Sequence, residues 1–387
     1  MKPKDQFCPN VSCPARGKTG QGNISIHGRA RRRYKCKVCG RTFSQTRGTA
    51  MYGLKRATGL FVIVVTLLAY GCPVQAIVAA FGLDERTVRA WFKRSGQHCQ
   101  QVHEHFMEKM TLDLGQVQAD EIKVKKQRGS VWMALALMVS TRLWLGGVVG
   151  ANRDKWLIRE LAGQVRQWAL CRPLLLAPVP GLAVDGFSAY LKAFYEAFRS
   201  PYKGDKGGRP RLYVWEEVAI VQVIKRRVGD TLTIKRHIAQ GCAELVARLL
   251  KATQKGGVIN PCTGVNTAFI ERLNATFRQR LACLVRRGRA LARQVETLEI
   301  GMYLVGCVYP GTGVYNFCTY HKSLRIGLWI SESHIHWVPR TPAVAAALTD
   351  HRWSVEELLM FQLPISPFIP PKRRGRPPKI AVLAVAL

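Results

Sequence analysis

Four cysteines near the start constrain this chain more than any other feature. Cys8 and Cys13 form a C-x4-C pair, and after twenty-two residues Cys36 and Cys39 form a second pair within CKVCG. Two short knuckles, each offering two thiolates, close a tetrahedral shell around a single structural Zn²⁺. Residues 1–47 have almost no apolar core of their own, so metal binding there is folding, and a zinc ribbon is predicted. Between the pairs, HGRARRRYKC sets Arg31, Arg32 and Arg33 beside Tyr34, a pattern suited to contact with a phosphate backbone.

Charge extends that reading to the whole chain. Across 387 residues, 59 Lys and Arg face 24 Asp and Glu, giving a formal net charge of +35, which points to nucleic acid or an anionic surface as partner. The longest apolar run, LFVIVVTLLAY from Leu60 to Tyr70, is about half of the roughly 20 residues that a bilayer crossing needs, so a buried helix is expected and no membrane partner. The start, MKPKDQFCPN, has no apolar stretch of the secretory kind, which predicts a cytoplasmic protein under reducing conditions.

Residues 50–110 carry three helical patterns. The second, CPVQAIVAAFG, has Pro73 in its first turn and an apolar face of Ile77, Val78 and Phe81; the third, DERTVRAWFKRSG, follows at Gly82-Leu83 with Asp84 placed to cap it. This is the layout of a helix-turn-helix, and the last helix offers Arg86, Arg89, Lys93 and Arg94 to a major groove.

From Leu112 the texture changes to alternating apolar strands. LDLGQVQADEIKVKK reads as a strand ending at Asp120 and Glu121, followed by two more strands in a meander, a helix, and a strand whose end delivers Asp185 before Gly186. Carboxylates that converge from apolar strands repel one another unless a hard divalent cation lies between them, and two Mg²⁺ or Mn²⁺ ions suit phosphodiester chemistry. Further on, NTAFIERLNATFRQR places Glu271, Asn274 and Arg278 at i, i+3 and i+7, one helical stripe presenting a carboxylate, an amide and a guanidinium. Glu271 completes a ligand set with Asp120 and Asp185, while Asn274 and Arg278 approach a phosphate or orient the carboxylates. An intrahelical ion pair with a neighbouring arginine is the plainer alternative for Glu271.

These blocks carry a resemblance. ADE at 119–121, VDG at 184–186 and the Glu271 helix resemble the three catalytic blocks of DDE transposases. The cysteine ribbon, the helix-turn-helix and the segments HKSLR and RTPAVAAALTDHRWSVEELL are similar to the longer, zinc-ribbon members of the insertion-sequence-one family. The resemblance implies an α/β ribonuclease H-like catalytic domain, a mixed sheet flanked by helices, over 112–345, preceded by the ribbon and the all-α domain. It implies Asp120, Asp185 and Glu271 as the metal-binding triad, and nicking at element ends followed by strand transfer into target DNA. It also implies at least a homodimer on double-stranded DNA in a prokaryotic nucleoid.

The 86 residues from Asp185 to Glu271 are long for that superfamily. An insertion is therefore expected over about 206–262, with a hairpin turning at Gly229-Asp230. Glu216 and Glu217 compete for the third ligand role on spacing. Residues 346–387 form a C-terminal segment whose Arg374-Gly375-Arg376-Pro377 resembles an AT-hook that fits a narrow minor groove. Two other classes stand beside the transposase reading: a DNA-binding regulator or inactive relic, and a structure-specific nuclease.

Overall fold

A computed structural model describes residues 2–30, 32–126, 128–169, 174–178, 188–202, 209–254, 265–285, 294–308, 316–331 and 334–368. The chain divides into two compact units, Met1–Gly48 with Gln362–Leu387, and Thr49–Phe361.

In the first unit, strands β1 (Ile24–Gly28), β2 (Arg33–Cys36) and β3 (Thr42–Ser44) form an antiparallel sheet in that order. Its core is small: Cys8, Cys13 and Cys36 pack with Ile24, Tyr34 and Phe43. Tyr34 is fully buried against Phe43, so it supports the sheet and is not a surface companion of the arginines. The segment after Phe361 belongs here, since Gln362 Nε2 donates to the Arg47 carbonyl at 2.7 Å. The C-terminal segment that the sequence sets apart from residue 346 therefore divides between the two units.

The second unit opens with helices α1 (Thr58–Ala69), α2 (Val74–Phe81) and α3 (Glu85–Lys109). A meander follows, β4 (Gly115–Lys125), β5 (Ser130–Met138) and β6 (Trp144–Gly150), then α4 (Lys155–Trp168), β7 (Leu174–Pro178) and α5 (Ala189–Ala197). A small hairpin, β8 (Arg199–Tyr202) and β9 (Arg211–Val214), precedes the long hairpin β10 (Val218–Val228) and β11 (Thr231–Gln240). Next come α6 (Ala243–Gln254), α7 (Ala268–Arg280) and α8 (Val295–Val308), a hairpin β12 (Ile326–Ser331) with β13 (His334–Val338), and the short helices α9 (Pro342–Ala345) and α10 (Val355–Met360).

Six strands make one mixed sheet in the order β11-β10-β7-β4-β5-β6. The meander is antiparallel, β7 runs parallel to β4 and to β10, and β11 returns antiparallel. The hairpin read as part of an insertion thus continues the central sheet, although its turn falls at Gly229-Asp230 as expected. Alternation of apolar residues reveals a strand but not which neighbour it pairs with. Another difference concerns Asp120, which lies mid-strand because Ile122 and Val124 carry the alternation on to Lys125. Adjacent residues on β4 face opposite ways, so Asp120 bonding to α7 and Glu121 bonding to α5 place helices on both faces. The outer edge of β6 is closed by Asn316, whose amide accepts from the Trp144 N–H and donates to the Trp144 carbonyl, both at 2.9 Å.

The helices at the start are less buried than their composition suggests. In α1, Phe61, Val64, Val65 and Leu68 face inward while Ile63 is 49% exposed, and in α2 only Ile77 is buried, with Phe81 38% exposed. α2 ends on Gly82 in the left-handed region (φ 60°). Asp84 then caps α3, accepting from the N–H of Arg86 at 2.8 Å and of Thr87 at 3.3 Å.

The helical pattern DERTVRAWFKRSG runs only to Gly96, but α3 continues for thirteen more residues, to Lys109. Gly96 is instead a contact point with α8: a Cβ there would lie 2.3 Å from Ile300 Cγ2 and 2.5 Å from its carbonyl oxygen. Past that point α3 buries His98, Cys99, Val102 and His103, and His103 packs among Trp144, Trp168 and Tyr303. Gly96→Ala is expected to destabilise the protein by about 1–3 kcal/mol despite alanine's better helix propensity, because α3 and α8 must separate. Urea unfolding monitored by tryptophan fluorescence checks this.

Candidate functional site

The four cysteines meet. Their sulfur atoms all lie within 4.8 Å of one another, with Cys8 to Cys39 at 3.6 Å and Cys13 to Cys36 at 3.8 Å. A tetrahedron with Zn–S bonds of about 2.3 Å has edges of about 3.8 Å, so the spacing fits one zinc ion and not a pair of disulfides. Backbone geometry shapes the knuckles: the Gly40 N–H donates to the Cys36 carbonyl at 2.9 Å with Gly40 at φ 69°. Burial and the neighbouring thiols raise the Cys8 thiol. Cys39 is also raised by burial, but bonds from the Arg41 backbone, Asn10 and the other thiols bring it down to about 7.

Beside this cluster, Arg32 is exposed and Arg33 is partly spent on Thr42, donating to its hydroxyl at 2.6 Å. Arg31 lies outside the described residues, as do Asp185, Arg374 and Arg376.

In the second unit the carboxylate region is assembled by a buried amide. The N-cap of α7, Thr267, makes no side-chain cap bond, which leaves first-turn N–H groups to be satisfied otherwise. Gln118, fully buried on β4, does so: its Oε1 accepts from Phe269 N (3.1 Å) and Ile270 N (3.0 Å), and its Nε2 donates to the Asn266 carbonyl (2.6 Å). That seats α7 on the sheet in one register. Two residues along β4, on the same face, Asp120 Oδ2 accepts from Asn274 Nδ2 at 2.7 Å. One turn back along α7, Glu271 Oε1 accepts from the Thr267 hydroxyl at 2.9 Å and from Lys225 of β10. Glu271 therefore pairs across the sheet with a lysine, not with an arginine of its own helix.

Asp120 feels this company. Burial first, then the negative charges of Glu121 and Glu271, push its carboxyl up to about 8, against the pull of the Glu121 N–H and of Arg278. Asn274 is 1% exposed, and its Oδ1 has no hydrogen-bond partner among the described residues. An orphaned buried acceptor beside a carboxylate of raised affinity for protons fits a place made for a cation. Oxygen donors of this kind suit Mg²⁺ or Mn²⁺. Among the described residues only the cysteines converge tightly as a metal-ligating group, so Asp120 and Glu271 make at most part of a site.

Sequence reasoning passed over several participants. Glu121 faces the other side of the sheet, where Arg153 holds it at 2.5 Å and the Tyr190 hydroxyl donates to it at 2.7 Å. Gln118 and Lys225 stood in plain alternation, but nothing in a strand pattern says which helix will land on it. Glu216 and Glu217 are exposed, and Glu217 pairs with Arg248 at 2.9 Å. His321 is buried and accepts from the Ser323 N–H and hydroxyl, and burial with Arg142 and Arg272 pushes it down to about 4.

On α3 the four cations divide. Arg86 is exposed and Arg89 bonds Glu85 one turn back at 2.5 Å. Lys93 pairs with Glu296 at 2.6 Å, and Arg94 donates to the Tyr52 carbonyl at 2.8 Å. A cleft of about 360 Å³ lies along this part of α3, lined by Lys55, Arg56, Thr87, Trp91 and Arg94 among others. Arg280, in the last turn of α7, donates to the Tyr70 carbonyl at 3.1 Å, where Gly71 lets the two backbones close up. No helix among the described residues is long and apolar enough to cross a membrane.

In comparisons with known proteins, the chain matches no protein-family model and no curated protein sequence.

Two outcomes follow from these geometries. The purified protein should carry one Zn²⁺ per chain, and Cys36→Ser or a strong chelator should release it and expose residues 2–48 to protease, read by metal analysis and limited proteolysis. For Asp120, the folded carboxyl keeps a proton that the unfolded chain loses above pH about 4, so its cost to stability grows from there to about pH 8. Asp120→Asn should therefore raise the melting temperature little at pH 5 and clearly at pH 8 without divalent ions, a gain of up to a few kcal/mol at about 1.4 kcal/mol per pKa unit. Thermal scans across that range in EDTA test it.

Proposed function

We propose that the protein is a metal-dependent DNA strand-transfer enzyme similar to the DDE transposases of the insertion-sequence-one family. The observation that carries the proposal is that Asp120 and Glu271, 151 residues apart in sequence, come to one sheet face through the Gln118 and Asn274 bonds, near enough for the charge of Glu271 to raise the Asp120 carboxyl. Scarce carboxylates in a chain of net charge +35 are brought together at a cost in stability, and a divalent cation relieves that cost. The mixed sheet flanked by helices is the architecture that a ribonuclease H-like catalytic domain needs.

On this reading Asp120, Glu271 and Asp185 hold the ions. Support for including Asp185 comes from β7, which pairs parallel with β4 so that Pro178 lies opposite Ala119; six residues of sequence then separate Pro178 from Asp185. Bound divalent ions supply charge neutralisation at the scissile phosphate and an acidified hydroxyl or water. Thr267 fixes the rotamer of Glu271, Asn274 orients Asp120, and Arg278 adds positive charge where a phosphate would lie. Arg86, Arg89 and the cleft with Lys55 and Arg56 give α2 and α3 the character of a helix-turn-helix that holds duplex DNA. The zinc-binding knuckles with Arg32 and Arg33 supply a second duplex contact.

The test is joining of labelled oligonucleotides, carrying the inverted sequences that flank the gene, to a plasmid in Mg²⁺ or Mn²⁺. Asp120→Asn and Asp185→Asn should each reduce joining to below about one per cent, since the ions contribute several kcal/mol to such reactions, while duplex affinity stays within about twofold because cations elsewhere supply it. Wild-type rates of joining in either variant would sink the mechanism. Products that are cut and never joined would move the assignment to a nuclease.

A further inference from the structure

The row of β10 residues that faces α6 is apolar from Ala219 to Val223. Ala219, Val221 and Val223 are buried in one cluster with Leu245, Val246, Leu249 and Val265. Side chains two apart on a strand share a face, so Lys225 is the next in that row. A lysine there gives up hydration and rotamer freedom that a valine would not lose. Its ammonium does not turn away to solvent: it bonds Glu271 Oε1, with the lysine side chain 26% exposed. The same oxygen also accepts from Thr267, which is fully buried. One carboxylate oxygen thus carries two donors from its own chain, one of them a full positive charge. An ammonium held along that lone pair occupies the position a hard cation would take and repels any second cation approaching it.

We propose that Lys225 is a built-in competitor for the divalent cation, a tethered charge that holds Glu271 until an ion displaces it. The inference rests on the metal centre proposed above. It makes Glu271 a ligand gated by exchange: the carboxylate stays neutralised and correctly aimed before loading, and the released ammonium is then free to meet an incoming phosphate at the same edge of the centre. Because Thr267 remains bonded to Glu271 throughout, exchange needs motion of the lysine alone.

Mn²⁺ binding, followed by electron paramagnetic resonance on the zinc-loaded full-length protein without DNA, tests this apart from any activity. Lys225→Gln should tighten the Asp120-dependent Mn²⁺ site about two- to fivefold, the range expected for loss of a half-exposed ion pair. Lys225→Met, which keeps the aliphatic stem, should do the same. In a Glu271→Gln background the gain should vanish, because the competition acts through that contact and not through the general field of one positive charge. Equal affinity in wild type and both lysine variants, or a gain that survives in Glu271→Gln, would overturn the competitor while leaving the metal centre standing. Mn²⁺ binding that Asp120→Asn does not weaken would remove the centre itself and this inference with it.

Discussion

The carboxylate region depends on one buried amide. Gln118 offers both ends of its side chain to the start of α7, satisfying two first-turn N–H groups with its oxygen and the Asn266 carbonyl with its nitrogen. A helix whose N-cap side chain makes no cap bond has a reason to dock at one place only. Everything beyond that point follows from strand and helix periodicity. Two residues along β4 brings Asp120 to the same face, and one turn along α7 brings Asn274 to meet it. The sequence distance between the acidic residues is bridged first by the Gln118 bonds, which involve neither of them, and then by Asn274 on Asp120.

Electrostatics on the two faces of β4 are handled in opposite ways. Glu121 has an arginine and a phenol in direct contact, so its charge is matched inside the fold. Asp120 has a neutral amide, a raised proton affinity, and an adjacent acceptor that finds no donor among the described residues. Neighbouring carboxylates on one strand thus differ in kind: one is a structural ion pair, complete as it stands, and the other is held in a form that an added positive charge would improve.

Much of this could be read from the sequence, because the signals were local. The cysteine spacing fixed four side chains around one point, the Asp84 cap marked the start of α3, and the i, i+3, i+7 stripe put Glu271, Asn274 and Arg278 on one side of α7. What escaped was set by partners far away in the chain. Gly96 looked like an end and proved to be a point of close approach to Ile300. The β10–β11 hairpin, read from the sequence as part of an insertion, pairs with β7 and extends the central sheet, with β11 at its edge. Lys93 and Arg94 looked like free cations and are engaged by Glu296 and the Tyr52 carbonyl. Lys225 was one more positive charge among many until α7 placed a carboxylate over it.

The uninterrupted course of α3 has a mechanical consequence. Its first turns carry Arg86 and Arg89, and its later turns are wedged among Trp144, Trp168 and Tyr303 beside the sheet. From Arg86 to His103 the rise is on the order of 25 Å at 1.5 Å per residue, with no hinge between. On the proposed reading, a duplex gripped at the near end would be presented to the carboxylates at one fixed lever arm and one helical phase. If the proposal holds, inserting or deleting a single base pair between the gripped site and the reacting phosphate would rotate that phosphate out of line, and an unhinged helix would make spacing as decisive as charge.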